Sequence, residues 1–287
     1  MSTVASRSEL EALLADDVPH GDLTTDALGL GAVAGTMTFT ARDPMVLALA
    51  EDAAAIIELA GGAVALHARS GEALERGAPI LTARGAATAL LRSWKVAQTL
   101  IEVWSGVATE ARAMVAAARA EAPDVVVACT RKNVPGTKRF AVAAVRAGGA
   151  VMHRLGLSES ILLFPEHLAF CEGASLTDLV RRLRQAAPEK RLVVEAGSID
   201  AALAAAKAGF DVLQTEKFSP AEVAELAGHL SRHRVRPLIA AAGGIHAGNV
   251  GAYAKAGADI VVTSSPYLAK PRDVQVRITA GASFTAS

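Results

Sequence analysis

Along the first hundred residues the apolar positions come in short, often interrupted runs. Ser8 to Ala15 reads as a short helix, and Pro19 and Gly21 make Asp16 to Thr25 a turn whose acids serve as caps or surface charge. From Ala34 to Thr40 (AGTMTFT) alternation predicts a strand, Leu49 to Leu59 a helix, and Ala63 to Ala68 a further strand. GEALERGAPILTARG carries three glycines and a proline, the punctuation of turns between short antiparallel strands. A long helical run then extends from about Ala87 to Ala120, with a break expected near Ser105 and Gly106.

Beyond that helix the pattern changes and repeats. AGGAVMHR (from Ala147), AGFDVLQTEK (from Ala208) and AGADIVVTSS (from Ala256) share one logic: a helix ends in Ala-Gly, and an apolar strand follows and ends in polar residues. Val125–Cys129, Ile161–Phe164, Leu192–Val194 and Leu238–Ala241 supply four more short apolar runs. Strands alternating with helices imply parallel pairing through right-handed crossovers. About seven such strands predict an α/β barrel, short of the usual eight.

Composition narrows the function classes. At 287 residues, 52% of them hydrophobic and 4% aromatic, the chain has room for one large barrel or two modest domains. Lys plus Arg and Asp plus Glu balance at 29 each, which argues against nucleic acid or a membrane surface as partner. The sequence shows no apolar run of membrane-spanning length and no secretory leader, so a cytoplasmic location is expected. Cys129 and Cys171 have neither metal-type nor disulfide-type spacing and read as buried small hydrophobes.

Candidate chemistry gathers where the strands end. Arg131 and Lys132 follow one strand, Lys138 and Arg139 open the next helix, and His153 and Arg154 close the strand after it. Further exits carry His167, Glu195, Glu216 with Lys217, Gly243 with Gly244, then Thr263, Ser264 and Ser265. Each alone fits a solvated rim or a satisfied core position. Together, at the carboxyl ends of parallel strands, they predict a site for an anion of several charges. A double glycine after a strand lets backbone N–H groups approach phosphate oxygens. Trp94 and Trp104 fit either ligand stacking or core packing, the latter being favoured.

The block TRKNVPGTKRFAVAAVRAGGAVMHRLGL, followed by FPEH at Phe164 to His167, resembles the signature of the quinolinate phosphoribosyltransferase family. It is most similar to the ModD branch, whose members accompany molybdate-transport genes. The resemblance runs over nearly the whole chain, including the acidic GDLTT turn and the helix SWKVAQTLIEVWSGVAT. It implies an α/β fold: an open α/β barrel of about six to seven parallel strands plus an N-terminal α/β sandwich. The sandwich is expected over 1–108, completed by 268–287, and the barrel over 109–267.

The resemblance also implies an enzyme that moves phosphoribosyl from 5-phosphoribosyl 1-diphosphate to the ring nitrogen of an aromatic, quinolinate-like acid. Such a reaction belongs to NAD biosynthesis and releases diphosphate. It implies Mg²⁺ accompanying the diphosphate, with no protein ligand assigned, and a homodimer with sites shared between subunits. Lys132, Glu195 and Glu216 are the expected catalytic residues. Arg131, His153, Arg154, His167, Lys217, Gly243, Gly244, Ser264 and Ser265 are the expected substrate contacts. Lys95 stands where the family carries an acid-binding arginine that serves the neighbouring subunit; a lysine keeps the charge but loses the bidentate fork.

Departures from the family pattern fall on the acceptor side. Phe164-Pro165-Glu166-His167 replaces Lys-Asp-Asn-His, so an aromatic ring stands where a lysine is expected. Thr215-Glu216-Lys217 replaces Leu-Asp-Asn, Ala242-Gly243-Gly244 replaces Ser-Gly-Gly, and Val262-Thr263-Ser264 replaces Ser-x-Gly. Two other readings stay open on the sequence. One is a non-catalytic metabolite- or oxyanion-binding protein supporting molybdate transport. The other is a different phosphate-binding barrel lyase, with Lys132 or Lys217 as a Schiff-base nucleophile.

Overall fold

The structure is a computed structural model and describes residues 3–231 and 236–281. Its contacts divide the chain into two units, the first formed by residues up to Arg112, Val134–Gly149 and the segment from Tyr267 onward. The second comprises Ala113–Asn133 and Ala150–Pro266.

In the first unit, α1 (Arg7–Asp17) begins where the Glu9 carboxylate takes both the N–H and the hydroxyl of Ser6. The expected turn after it closes into α2 (Leu23–Ala27), whose Asp22 cap accepts the N–H groups of Thr24 and Thr25. Then come β1 (Ala34–Ala41), β2 (Met45–Val46), α3 (Ala50–Leu59), β3 (Ala63–Leu66), β4 (Ala73–Leu74) and β5 (Pro79–Ala86). Met37, Phe39, Ile57, Leu81, Leu90 and Ile101 are fully buried in the core of this unit.

The helix α4 (Ala87–Glu121) runs without the break expected at Ser105 and Gly106. Both residues are small for a packing reason. The Ser105 hydroxyl accepts the Ala48 N–H at 3.0 Å, and a Cβ on Gly106 would meet the Lys270 carbonyl at 2.4 Å. Trp104 is buried with its ring 6.1 Å from that of Phe140, so it packs rather than binds.

The second unit is built on seven strands: β6 (Val126–Cys129), β7 (Val151–Met152), β8 (Ile161–Leu163), β9 (Leu192–Ala196), β10 (Val212–Glu216), β11 (Leu238–Ala242) and β12 (Ile260–Thr263). Their helices are α5 (Lys138–Ala147), α6 (Pro165–Leu168), α7 (Leu176–Ala186), α8 (Ile199–Ala208), α9 (Pro220–Leu230) and α10 (Val250–Lys255). Of these, α5 groups with the first unit. The strands form one parallel sheet in the order β7-β6-β12-β11-β10-β9-β8. β7 and β8 follow each other in the chain yet stand at opposite edges of that order, so the barrel is open between them.

The Ala-Gly repeats have a backbone cause. Gly209 and Gly257 lie at φ of 98° and 97°, left-handed values that glycine adopts without a Cβ penalty, and each reverses the chain from a helix into a strand. The aspartates two residues beyond these glycines hold the strand starts. Asp211 accepts the Leu192 N–H and Arg184, each at 2.6 Å, and Asp259 accepts the Ile239 N–H at 2.7 Å and Arg236 at 2.8 Å. Finally β13 (Val274–Ala280) returns to the first unit and pairs antiparallel with β1, giving the sheet order β13-β1-β5-β3.

Candidate active site

The strand exits of the second unit carry the chemistry. After β6 the Thr130 N–H bonds the Thr263 carbonyl at 2.8 Å, and Arg131 and Lys132 emerge exposed beyond it. After β7 the His153 N–H bonds the Cys129 carbonyl at 2.8 Å, which sets Arg154 just past the pairing. Arg154 is only 7% exposed, and its guanidinium lies 5.6 Å from the centre of the Phe164 ring. Burial, then the charge of Arg131, pull the Arg154 pKa down from its ordinary value. His153 was expected among the cations that hold an acid. Burial and the neighbouring Arg154 push its pKa below the usual imidazole value, so at neutral pH it is a neutral hydrogen-bonding group.

Glu195 on β9 stands in register with Gln214 on β10, and the Gln214 amide donates to its Oε2 at 2.8 Å. Burial raises the Glu195 pKa most, Gln214 opposes this, the charges of Glu216 and Glu166 add to it, and Lys132 opposes it. These groups therefore surround one another closely enough to interact. Two of them were not singled out in the sequence. Glu166 enters the sequence reading only as part of the FPEH replacement, with no role of its own, and Gln214 lies within VLQTE. The available signal for Gln214 was period: it shares a strand face with Glu216 in an otherwise apolar run.

The double glycine divides into two roles. Gly243 has φ of 96°, and a Cβ there would lie 2.8 Å from both the N and the Cγ of Lys217. Its bare side is thus filled by Lys217, whose N–H bonds the Ala242 carbonyl at 2.8 Å; Gly243 lets two strand exits touch. Gly244, with φ of 69°, has nothing within 4 Å of its Cβ position and is the one of the pair open to an approaching anion. Lys217 is exposed and itself left-handed, with φ of 60°.

The remaining expected residues fall as follows. His167 is exposed; its Nδ1 accepts the Phe164 N–H at 3.0 Å and its ring stacks on Phe164 at 5.9 Å, so it shapes the loop and leaves only Nε2 facing outward chemistry. Ser264 and Ser265 are half-buried beyond β12, where the Ser265 N–H bonds the Thr263 hydroxyl at 3.0 Å. Lys95 lies on α4 in the first unit, exposed, 2.8 Å from Gln98 Oε1 and 4.0 Å above the Trp94 ring. Of the cations at the start of α5, Arg139 pairs with Glu9 within the first unit. Cys129 is buried, which pushes its thiol up to about 12 and leaves it unreactive.

The first unit also holds a cavity of about 630 Å³ beside α3 and α5. Its acids are closed: Asp52 accepts the N–H groups of Val4 and Ala5, and Glu51 those of Ser70, including its hydroxyl. Lys138, Arg139 and Arg146 also line it, and Arg139 is paired with Glu9.

An open parallel barrel with cations, facing acids and an open glycine at its strand exits defines a barrel enzyme acting on an anionic substrate. Comparison with known proteins gives the particular family. Residues 107–277 match the C-terminal domain of quinolinate phosphoribosyl transferase and 22–105 its N-terminal domain. The chain is 51% identical over 240 residues to the pyrophosphorylase-like protein ModD of Rhodobacter capsulatus, spanning 84% of this chain and 92% of that one. It is 30% identical over 269 residues to the carboxylating nicotinate-nucleotide pyrophosphorylase of Mycobacterium leprae, spanning 91% and 92%. The crystal structure of NadC from Streptococcus pyogenes superposes with a TM-score of 0.87 at 26% identity over 96% of each chain. The chain belongs to the quinolinate phosphoribosyltransferase family, and its class of chemistry is phosphoribosyl transfer.

Proposed function

We propose that this enzyme transfers the phosphoribosyl group of 5-phosphoribosyl 1-diphosphate to the ring nitrogen of an aromatic acid of the quinolinate type. The observation that carries this reading is the meeting of Glu195 and Glu216 with Lys132 at the strand exits that also present Arg131 and Arg154. As the ring nitrogen forms its bond to C1, the C1–O bond breaks and its electron pair leaves with diphosphate. Positive charge builds on the sugar, as in glycoside cleavage, and the two carboxylates stabilise it. Arg131, Lys132 and the Gly244 backbone neutralise growing charge on the phosphates.

Among the described residues no group of three His, Cys, Asp or Glu is arranged to hold a metal. The proposal includes an Mg²⁺ carried in by the diphosphate, with substrate oxygens and water as its main ligands. That ion would supply charge neutralisation of the leaving group. The acceptor side is walled by Phe164 under the Arg154 guanidinium, so the acid docks against one aromatic face and one cation. The same aromatic wall, with Ala242 in place of a hydroxyl donor, favours a second reading: a non-catalytic oxyanion- or metabolite-binding role supporting molybdate transport.

Titration calorimetry with 5-phosphoribosyl 1-diphosphate and Mg²⁺, followed by a screen of aromatic carboxylates for diphosphate release, separates the two. Binding with turnover of one acid supports the transferase; folded protein that ignores the ligand at millimolar concentration rejects it. The proposal includes a homodimer in which exposed Lys95 serves the partner's site. Mixing Lys95→Ala and Glu195→Ala subunits should then restore activity in part, whereas full activity of Lys95→Ala alone removes Lys95 from the site.

A further inference from the structure

The cavity of about 630 Å³ beside α3 and α5 is lined only by residues of the first unit and shares none with the strand exits of the barrel. Its size is that of a pocket for a small organic molecule. Along α5 its wall follows the helix period. Lys138, Val142 and Arg146 stand four residues apart on one row, with Ala143 and Ala147 on the next. Val4 and Leu49 add apolar surface to the rest of the wall. The bed is therefore aliphatic, and a cation stands at each end of it, about 12 Å apart along the helix axis.

The polar groups of the lining fall into two sets. Asp52 takes the N–H groups of Val4 and Ala5, and Glu51 takes the N–H and the hydroxyl of Ser70. That hydroxyl also accepts the Ala50 N–H at 3.2 Å, and Arg139 is paired with Glu9. These groups are occupied. The side chains of Lys138 and Arg146 are exposed and have no hydrogen-bond or ion partner among the described residues. Lys138 also sits in the first turn of α5, which holds no acid and where the helix dipole disfavours a cation. The unspent polar groups of the cavity are thus donors only, and positive.

We propose that this cavity is a second ligand site, for an organic anion with an apolar body and one oxyanion head, carboxylate or phosphate. The body lies on Val142, Ala143 and Leu49, and the head is taken by Lys138 and Arg146, whose long side chains can close on it above Val142. Charge-assisted hydrogen bonds to the head supply the selectivity, and the aliphatic bed supplies the burial. The inference does not depend on the phosphoribosyl-transfer reading.

Octanoate and octyl phosphate serve as probes, with octanol as the uncharged control, each displacing the fluorescent anion anilinonaphthalene sulfonate from the full chain. Both anions should compete at one saturable site and bind about tenfold or more tighter than octanol; the tighter of the two names the head. Lys138→Gln combined with Arg146→Gln should weaken the anions by about tenfold and leave octanol unchanged. Both positions are exposed, and an unchanged thermal midpoint separates loss of the site from loss of the fold. Ala143→Leu, which fills the bed, should weaken all three probes. Equal affinity for octanol and the anions overturns the inference, as does anion binding that the double variant leaves intact. Absence of saturable binding at millimolar concentration overturns it too. Displacement of the fluorescent anion by 5-phosphoribosyl 1-diphosphate would place the probes in the barrel and overturn it as well.

Discussion

The two ends of the barrel treat charge in opposite ways. Where the strands begin, Asp211 and Asp259 are each closed by an arginine and a strand N–H, all four contacts between 2.6 and 2.8 Å. Where the strands end, no ion pair joins Arg131, Lys132 or Arg154 to Glu195 or Glu216 among the described residues. Burial pushes the Asp211 carboxyl upward, but Arg184 and the Leu192 N–H together hold it below its ordinary value. Burial pushes Glu195 up as well, and there the surrounding carboxylates reinforce it. One end stabilises its charges in the folded chain alone; the other holds them in a state that a ligand would relieve. That division is the one expected of parallel barrels, with stability at the strand starts and catalysis at the strand ends.

The sharpest way to test the contrast is Glu195→Gln. If Glu195 stabilises the charged sugar, kcat/KM should fall by on the order of 10²–10³. The thermal midpoint should hold or rise, and the sign follows from linkage. A folded-state pKa raised above 4.5 gives stability that is fully present below the unfolded value and lost as pH rises through the folded one. At pH 7 the variant therefore lacks a penalty that wild type carries, and below that window the two should melt alike. A variant that loses stability at pH 7 would place Glu195 with the structural acids.

Asp211→Asn probes the opposite end and should show the opposite pH behaviour. A folded-state pKa held below 3.8 gives stability present above that value and lost as pH falls through the folded one. The pair with Arg184 is partly solvated, so the cost at pH 7 should be about 1–2 kcal/mol, shrinking in acid. Denaturant titration at two pH values reads this, and kcat should stay as in wild type. A selective loss of kcat without loss of stability would erase the distinction between the two ends.

A smaller effect is expected at Lys217, where the open end carries backbone strain. A left-handed φ of 60° disfavours a lysine by roughly 1–2 kcal/mol, and asparagine tolerates that region better. Lys217→Asn should accordingly gain up to about 1 kcal/mol in stability. If the lysine supplies charge that Phe164 cannot, the same change should weaken binding of 5-phosphoribosyl 1-diphosphate. Greater stability with unchanged affinity would mean that the strain serves only the contact between Lys217 and Gly243.

What the sequence reveals of this contrast depends on how far each cause extends along the chain. The seven strands were legible because each is an apolar run closed by polar residues, a local signal. Glu195 and Glu216 were legible as acids at such exits. Gln214 was not, because its meaning lies in the pairing of β9 with β10, which brings it opposite Glu195. Gly243 was assigned to phosphate approach since glycine is permissive in general; only the fold shows Lys217 occupying the space. The break expected in α4 failed for a like reason. Ser105 and Gly106 are weak helix formers locally, but their smallness answers to Ala48 and Lys270, both remote in sequence. Lys138 and Arg139 adjoin the strand-end cations in sequence, yet the chain groups them with the first unit.

The finest test lies within one strand. Gln214 and Thr215 are neighbours on β10, both almost wholly buried, and each has one polar atom with no partner among the described residues. Alternation sends them to opposite faces: Gln214 shares its face with Glu216, while Thr215 points to the other side of the sheet. The Gln214 amide keeps one bond, to Glu195 at 2.8 Å, whereas the Thr215 hydroxyl is a plain desolvation cost. Valine has nearly the shape of threonine, keeps the β-branched preference for a strand, and removes the hydroxyl. Thr215→Val should therefore stabilise the enzyme by about 1 kcal/mol. It should leave turnover at its wild-type value. Chemical denaturation read beside a turnover assay decides it. A loss of turnover on Thr215→Val without loss of stability would show that the two faces of β10 are coupled.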